Sequence, residues 1–236
     1  MRQTMIESQA HEQKMPPWST IDTIMFDMDG TLLDLHYDNY FWQHFLPRVW
    51  SKSEGIELQV AVTQLDKMYQ EVRGSLNWYC LDFWAEKLQL DMIALKREVK
   101  HKIAIRPNVI NLLKILRSLD KQLLLITNAH PDSLRLKLEQ TRIGDYFDHI
   151  ISAHTLKLAK ENHGFWARLI ELEPYDPLRT LLIDDSLSVL QQAQREGIKH
   201  LYGIYQPDSQ QDPSPVEEYP LIIDFEHIMP SLRKPA

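Results

Sequence analysis

The sequence predicts an α/β fold: a parallel sheet core with helices on both faces, interrupted after its first strand by an all-helical insert. Two observations carry this prediction. Short apolar runs alternate with stretches of helical period, the pattern of a parallel sheet wound with helices. The alternation breaks once, between Leu35 and about Ile103, where aromatic and charged residues follow helical spacing and no strand pattern occurs.

Residues 1–18 are polar, end in Pro16-Pro17 and read as a flexible N-terminal arm. The run IDTIMFD (21–27) reads as a short buried strand. In the insert, three apolar sets have helical spacing: Phe41, Phe45 and Val49; Leu65, Met68 and Val72; Leu81, Trp84 and Leu88. Pro107 suits the first turn of a helix that returns to the core. Val109, Leu112, Leu113 and Leu116 form its apolar face. A strand QLLLIT (122–127), a helix from Pro131 to about Thr141 and a strand HIISA (149–153) follow. Next come a helix over 163–172, a strand RTLLID (179–184) and a helix over 187–196, which Gly197 ends as a left-handed cap. KHLYGI (199–204) is a further strand, YPLIIDF (219–225) an edge element, and QPDSQQDPSP (206–215) an irregular loop. The expected core is 19–34 plus 104–236, and the expected helical cap is 35–103.

The 236 residues suffice for one large domain, or for a core with a smaller insert. The net charge of −7 is spread along the chain. It argues against a nucleic-acid groove, which needs a basic face, and against an anionic membrane surface. A small anionic substrate is compatible, because a local cation reverses the field inside one cleft. Cys80 is the single cysteine, so no intrachain disulfide is possible, which fits a cytoplasmic compartment. The first residues lack the apolar segment of a signal peptide. No run reaches the roughly 18 apolar residues of a membrane span. The seven glycines form neither G-x-G-x-x-G nor G-x-x-x-x-G-K-[ST], so any phosphate is bound without a glycine-rich cradle. The ten histidines form no H-E-x-x-H pair and read as surface or core residues.

In a sheet of this type, ligands bind beyond the carboxyl ends of the strands. Asp27-Met28-Asp29 follow the first strand, Thr127-Asn128 follow LLLI, and Asp184-Asp185-Ser186 follow TLLI. The segment after HIISA leads through Lys157 to Lys160. One end of the sheet therefore collects four carboxylates, a hydroxyl and a lysine. Four carboxylates in one crevice repel and raise one another's pKa, and a divalent cation is the simplest relief. An all-oxygen donor set points to Mg²⁺ rather than Zn²⁺. Such a cluster suits phosphoryl transfer, with an Asp as nucleophile forming an aspartyl-phosphate and the metal offsetting charge on phosphate oxygens.

DMDGTL (27–32), LLITN (124–128), a downstream lysine and LLIDDS (181–186), in this order, resemble the four motifs of the haloacid dehalogenase superfamily. The resemblance runs from about residue 21 to 204. It implies a Rossmann-like core, and the helical insert resembles that family's C1-type cap. LLDLHYDNYFWQ (32–43), LNWYCLDFW (76–84), TNAHPDSLRLKLEQT (127–141) and AKENHGFW (159–166) are similar to the GMP/IMP nucleotidase branch. That likeness implies hydrolysis of purine nucleoside 5′-monophosphates. It further implies that Asp27 is the nucleophile and Asp29 the general acid and base. Mg²⁺ would be held by Asp27, the backbone carbonyl of Asp29 and Asp185, with Asp184 assisting. Thr127, the Asn128 backbone N–H and Lys160 would bind phosphoryl oxygens. The third motif departs from the family's usual Lys-Pro: the order is Lys157-Leu-Ala-Lys160-Glu161, and Lys160 is chosen with Lys157 as the alternative. The dehalogenases need only the first Asp, so Asp29 separates the two chemistries.

Simpler readings exist for each residue. Asp29-Gly30 is also a turn signal, Thr127-Asn128 before Pro131 also reads as a helix cap, and Ser186 as another. Asp34 reads as a turn or cap residue. Lys160 could be a solvated surface lysine. The aromatics of the insert are mostly expected in its core, with Tyr37, Asp38, Tyr40 and Trp78 as the candidates for the cleft. The competing functions are a phosphatase for a sugar phosphate or phosphoglycolate, and a catalytically silent binding protein of the same fold.

Overall fold

The structure is a computed structural model of the chain and describes residues 15–213 and 218–231. Among these, six strands form one sheet: β1 Thr23–Phe26, β2 Gln122–Thr127, β3 His149–Ser152, β4 Thr180–Ile183, β5 His200–Ile204 and β6 Leu221–Ile222. Their order is β3-β2-β1-β4-β5-β6, and every neighbouring pair is parallel. The apolar runs are continuous because both faces are covered. Alternate residues of β1, β2 and β4 point to opposite sides, as the pleat requires. Ile24, Phe26, Leu123, Leu125, Leu181 and Ile183 meet Val109, Leu112, Leu113 and Leu116 of one helix. Met25, Leu124, Ile126 and Leu182 meet Phe165, Trp166, Leu169, Val189, Leu190 and Ala193 on the other face. Each fully buried side chain of this kind contributes about 1.5–3 kcal/mol.

The insert is all helical among the described residues: α1 His36–Tyr40, α2 Leu46–Glu54, α3 Leu58–Val72, α4 Leu76–Tyr79, α5 Leu81–Leu88 and α6 Met92–Glu98. The helices of the core are α7 Val109–Ser118, α8 Pro131–Thr141, α9 Ala153–Leu156, α10 Phe165–Leu172 and α11 Leu187–Arg195. After α11, Gly197 has φ +98°, and the Ile198 amide donates to the Ala193 carbonyl at 3.0 Å, the left-handed close expected of that glycine. The edge element shrinks to two residues, Leu221–Ile222.

Two expectations are corrected. The arm was expected to reach residue 18. Residues 1–14 lie outside the described residues, but Pro16 is buried and Trp18 packs against the core. The Trp18 indole N–H donates to the Ile228 carbonyl at 2.9 Å, so an apolar ring with a satisfied donor docks the end of that segment. The second correction concerns the first apolar face of the cap. Phe41, Phe45 and Val49 were expected on one face, but Phe41, Leu46 and Trp50 are the buried residues, with Phe45 and Val49 half-buried. A π-helical turn at Phe41–Phe45 links α1 to α2 and adds one residue to the spacing. Pro47, which has no N–H to give an α-helical bond, stands at the start of α2 directly after it. The face therefore steps by five residues and then by four. Leu46→Ala is expected to lower unfolding free energy by about 2–5 kcal/mol. Val49→Ala is expected to cost clearly less. Urea unfolding of both variants checks the register, and the reverse ranking would restore the uninterrupted α-helical spacing.

Candidate active site

β1 has β2 on one side and β4 on the other, and the chain leaves these neighbours in opposite directions across the sheet. This is the topological switch point at which α/β sheets open a crevice beyond their carboxyl ends. The Asp27 amide still donates to the Ile183 carbonyl at 2.9 Å, and the Asp184 amide to the Tyr202 carbonyl at 3.1 Å. Both carboxylates are thus aimed by the backbone ladder itself. The chain then turns sharply, with Gly30 at φ +85° and its amide donating to the Leu33 carbonyl at 2.8 Å. Gly30 is required for a second reason: a Cβ there would lie 2.5 Å from Asp185 Oδ2. Only a hydrogen lets the fourth motif acid approach the first motif loop so closely.

A cavity of about 280 Å³ opens at this end and is lined by Asp27, Asp29, Thr127, Asn128, Lys160, Asp184 and Asp185. The structure brings all the core site residues expected from the sequence to one place. Lys160 is the lysine that enters: its Nζ donates to Asp27 Oδ1 at 2.5 Å, to Asp184 Oδ2 at 2.7 Å and to the Ile126 carbonyl at 3.1 Å. Lys157 is exposed and closes α9 with φ +57°. The Asn128 carboxamide fixes the lysine loop, accepting from the Lys160 amide at 2.9 Å and donating to Glu161 Oε2 at 2.9 Å. Thr127 Oγ1 accepts from the Ala129 amide at 3.0 Å, so its cap-like bond coexists with a place on the cavity wall. Asp34 takes the turn role, its Oδ1 accepting from the His36 and Ser209 amides.

Burial dominates the electrostatics. It raises Asp27 to about 6 against the pull of Lys160, and raises Asp29 to about 6 against the pull of Lys137. Asp184 is raised by burial despite Lys160, and Asp185 is raised well above the usual carboxylate range by burial and by Asp27 and Asp184. No described Lys or Arg forms an ion pair with Asp185. Asp27, Asp184 and Asp185 offer the oxygen donors that a hard divalent cation takes, in a place short of positive charge.

The cap completes the cleft differently from expectation. Asp38 and Trp78 line the cavity. Tyr37 and Tyr40 do not: Tyr37 is buried in the cap core with its hydroxyl on the Lys96 carbonyl at 3.1 Å, and Tyr40 lies with its ring 4.1 Å from Lys102 Nζ. Leu35, Asn39, Trp42, Tyr79 and Lys96 of the cap line the cleft instead, with Ser133 and Lys137 of α8. Sequence reasoning missed Lys96 and, closest to the core acid, Lys137. Its Nζ lies 2.7 Å from Asp29 Oδ1 and 2.6 Å from Asp38 Oδ2, while Lys96 Nζ donates to Asp38 Oδ1 at 2.8 Å. A chain of alternating charge thus runs from the core acid Asp29 to the cap. Burial would raise Asp38, but Lys137 and Lys96 hold it down at about 2. The signal was available. Lys96 falls in the apolar stripe between Met92 and Val99, and Lys137 lies one turn from the buried Ser133 on the inward face of its helix.

Breaking this chain leaves two buried carboxylates facing each other. Lys137→Met is expected to lower stability by about 3–5 kcal/mol, and Asp38→Asn in the same background to recover part of the loss. Urea unfolding of the single and double variants checks the coupling, and strictly additive effects would dissolve it.

The comparisons with known proteins follow this geometry. The profile described as haloacid dehalogenase-like hydrolase matches residues 21–197. The GMP/IMP nucleotidase YrfG of Escherichia coli (strain K12) is 39% identical over 215 residues, 91% of this chain and 97% of that protein. Among solved structures, a HAD phosphatase from Thermococcus onnurineus is similar with a TM-score of 0.69 and 25% identity, over 81% of this chain and 89% of that one. The L-2-haloacid dehalogenase of Xanthobacter autotrophicus shares the fold, with a TM-score of 0.52 and 15% identity over 79% and 78% of the two chains. The chain is therefore a member of the haloacid dehalogenase-like hydrolases, a phosphohydrolase similar over most of its length to a nucleotidase.

Proposed function

We propose that the protein is a Mg²⁺-dependent 5′-nucleotidase that hydrolyses purine nucleoside monophosphates such as GMP and IMP through an aspartyl-phosphate. The observation that carries this reading is that the two acids of the first motif have different partners: Asp27 faces Lys160 and Asp29 faces Lys137. Two carboxyls one residue apart are thereby given separate tasks. Asp27 attacks phosphorus in line, and the bond to the ribose 5′-oxygen breaks as Asp29 gives that oxygen its proton. Asp29 then takes a proton from water, whose oxygen attacks the acyl-phosphate and frees inorganic phosphate and Asp27. A carboxyl raised to about 6 by burial can serve as acid and then as base near neutral pH. Lys160, Thr127 and the Asn128 backbone N–H receive the phosphoryl oxygens. Asp27, the Asp29 carbonyl and Asp185, with Asp184 assisting, would hold Mg²⁺, which would supply positive charge to the transferring group.

The purine assignment is supported by the 39% identity to the GMP/IMP nucleotidase and by the shape of the cap. A second cavity of about 470 Å³ lies in the cap and shares Asn39, Trp42 and Trp78 with the reaction cavity. Tyr69 is on its wall too, so flat aromatic surface adjoins the phosphate end.

Phosphate release from GMP, IMP, AMP, pyrimidine monophosphates, sugar phosphates and phosphoglycolate is expected to be fastest with the 6-oxopurine nucleotides and to stop on chelation with EDTA until Mg²⁺ is restored. A sugar phosphate hydrolysed with the highest kcat/KM would replace the nucleotide reading. Asp27→Asn is expected to lower kcat by roughly a thousandfold or more, and Asp29→Asn by about 10²–10⁴-fold. Acid-quenched phosphoenzyme should be absent from the first variant. A phosphorylated Asp27→Asn protein would move the nucleophile elsewhere.

A further inference from the structure

Beside the reaction cavity, the seam between cap and core holds a second group of donors with a different chemistry. Cys80 stands in the cap between α4 and α5, His130 caps α8 directly after the second motif, and His154 lies in α9 after β3. One donor atom from each of the three lies within 4.8 Å of the others. We propose that Cys80, His130 and His154 form a site for a borderline-soft divalent cation of the Zn²⁺ type, which clamps the cap against the core.

Four observations converge on it. The Nε2 of His154 is buried without a hydrogen-bond partner, an arrangement that is unfavourable when nothing occupies the lone pair or takes the proton. The rings of His130 and His154 meet edge to face with centroids 5.0 Å apart, so the two imidazoles converge. Burial, and then the neighbouring His130, keep His154 neutral down to about pH 4, the form that coordinates metal. Carboxylates flank the third ligand: Asp82 Oδ2 of the cap lies 3.4 Å from His130 Nε2, and Asp132 Oδ2 lies 3.8 Å from His130 Nδ1. His130 Nδ1 accepts from the Asp132 amide at 3.3 Å as the cap of α8, so the neutral ring carries its proton on Nε2, facing Asp82. Coordination through Nε2 would move that proton to Nδ1, in place of the amide bond, with the Asp132 carboxylate nearby to take it. Cys80 binds as thiolate and releases its proton to water.

The ligand chemistry separates this site from the acid cluster. Thiolate and imidazole favour Zn²⁺ over Mg²⁺, whereas carboxylate oxygens favour Mg²⁺. Three protein ligands leave a fourth position, within reach of Asp82 or of water. The donors come from both sides of the cleft, so an occupied site ties Cys80 of the cap to two residues of the core. Such a tie opposes the cap movement on which entry and release through a closed cleft depend.

The test uses the whole protein in excess Mg²⁺, titrated with Co²⁺ as a spectroscopic stand-in for Zn²⁺. Because Cys80 is the single cysteine of the chain, a thiolate-to-cobalt charge-transfer band can arise only there. One equivalent of Co²⁺ is expected to produce that band, and Zn²⁺ to abolish it by displacement. Cys80→Ser should remove the band. His154→Gln should weaken Co²⁺ binding by at least about tenfold while circular dichroism stays unchanged. A wild-type spectrum without the thiolate band overturns the proposal, whatever the variants do. So does an equal Co²⁺ affinity of the wild type and a folded His154→Gln protein. Neither readout uses phosphate release, so the result stands apart from the nucleotidase reading.

Discussion

The ammonium of Lys160, buried between Asp27 and Asp184, is the interaction on which the rest of the site depends. Taking carboxylates out of water is costly, and a single partner rarely offsets two of them. Here one lysine reaches both and a backbone carbonyl as well, which uses its three donors. The fold makes that possible. β1 and β4 are neighbours in register, so Asp27 and Asp184, each the first residue past its strand, emerge side by side. Lys160 arrives from the segment after α9, and Asn128, at the end of β2, holds that segment by its side chain. Three parallel strands and one amide thus set the position of one ammonium. Asp185 stays outside this arrangement, pressed against the only residue type that gives it room. The local charge is therefore left negative where the oxygens of Asp27, Asp184 and Asp185 line the cavity.

Asp29 stands apart from this cluster although only one residue separates it from Asp27. Its partner is Lys137, and Lys137 is shared with Asp38 of the cap. Asp38 pushes the Asp29 carboxyl up while Lys137 draws it down, beneath the larger effect of burial. The state of the core acid is thus connected to a residue that belongs to the cap. Lys96 ends the chain inside a cage of Tyr37, Phe41 and Trp42, whose ring faces lie 4.9, 4.5 and 5.5 Å from its Nζ. Aromatic faces attract a cation with little hydration, so the cap holds its lysine where water would not.

The core strands were legible because a sheet buried on both faces leaves an unbroken apolar run, and the acids were legible because two of these runs, β1 and β4, end directly in one. Thr23–Phe26 and Thr180–Ile183 are four-residue cases of both rules. The cap was legible as helical but not in its facing. A period of 3.6 was assumed through Phe41–Phe45, and a π turn has no signature in apolar spacing except the slip that it causes. Tyr37 and Tyr40 were misplaced for a related reason: an aromatic residue fits a cleft wall and a core equally well, and only the helix facing decides. Lys96 and Lys137 were overlooked because a charge in an apolar stripe reads as noise until its partners are known. Those partners lie 58 and 99 residues away in the sequence, both at Asp38. Trp18 shows the same limit, since its acceptor is 210 residues away.

A protein that kept this fold only to bind or to scaffold would have no physical reason to keep such a centre. Replacing a buried ion pair by packed apolar residues is often neutral or stabilising, whereas removing one member is strongly destabilising. Asp27, Asp184 and Lys160 are held together at the edge of a core that is otherwise apolar, and Asp29, Asp38, Lys96 and Lys137 repeat the arrangement beside it. Their charged groups are largely out of water, yet all of them line one cavity rather than a closed interior. A structural network would close around its charges and satisfy every one. This network leaves Asp185 unpaired and its carboxyl raised, which is the condition of a site built to be completed by something that enters it.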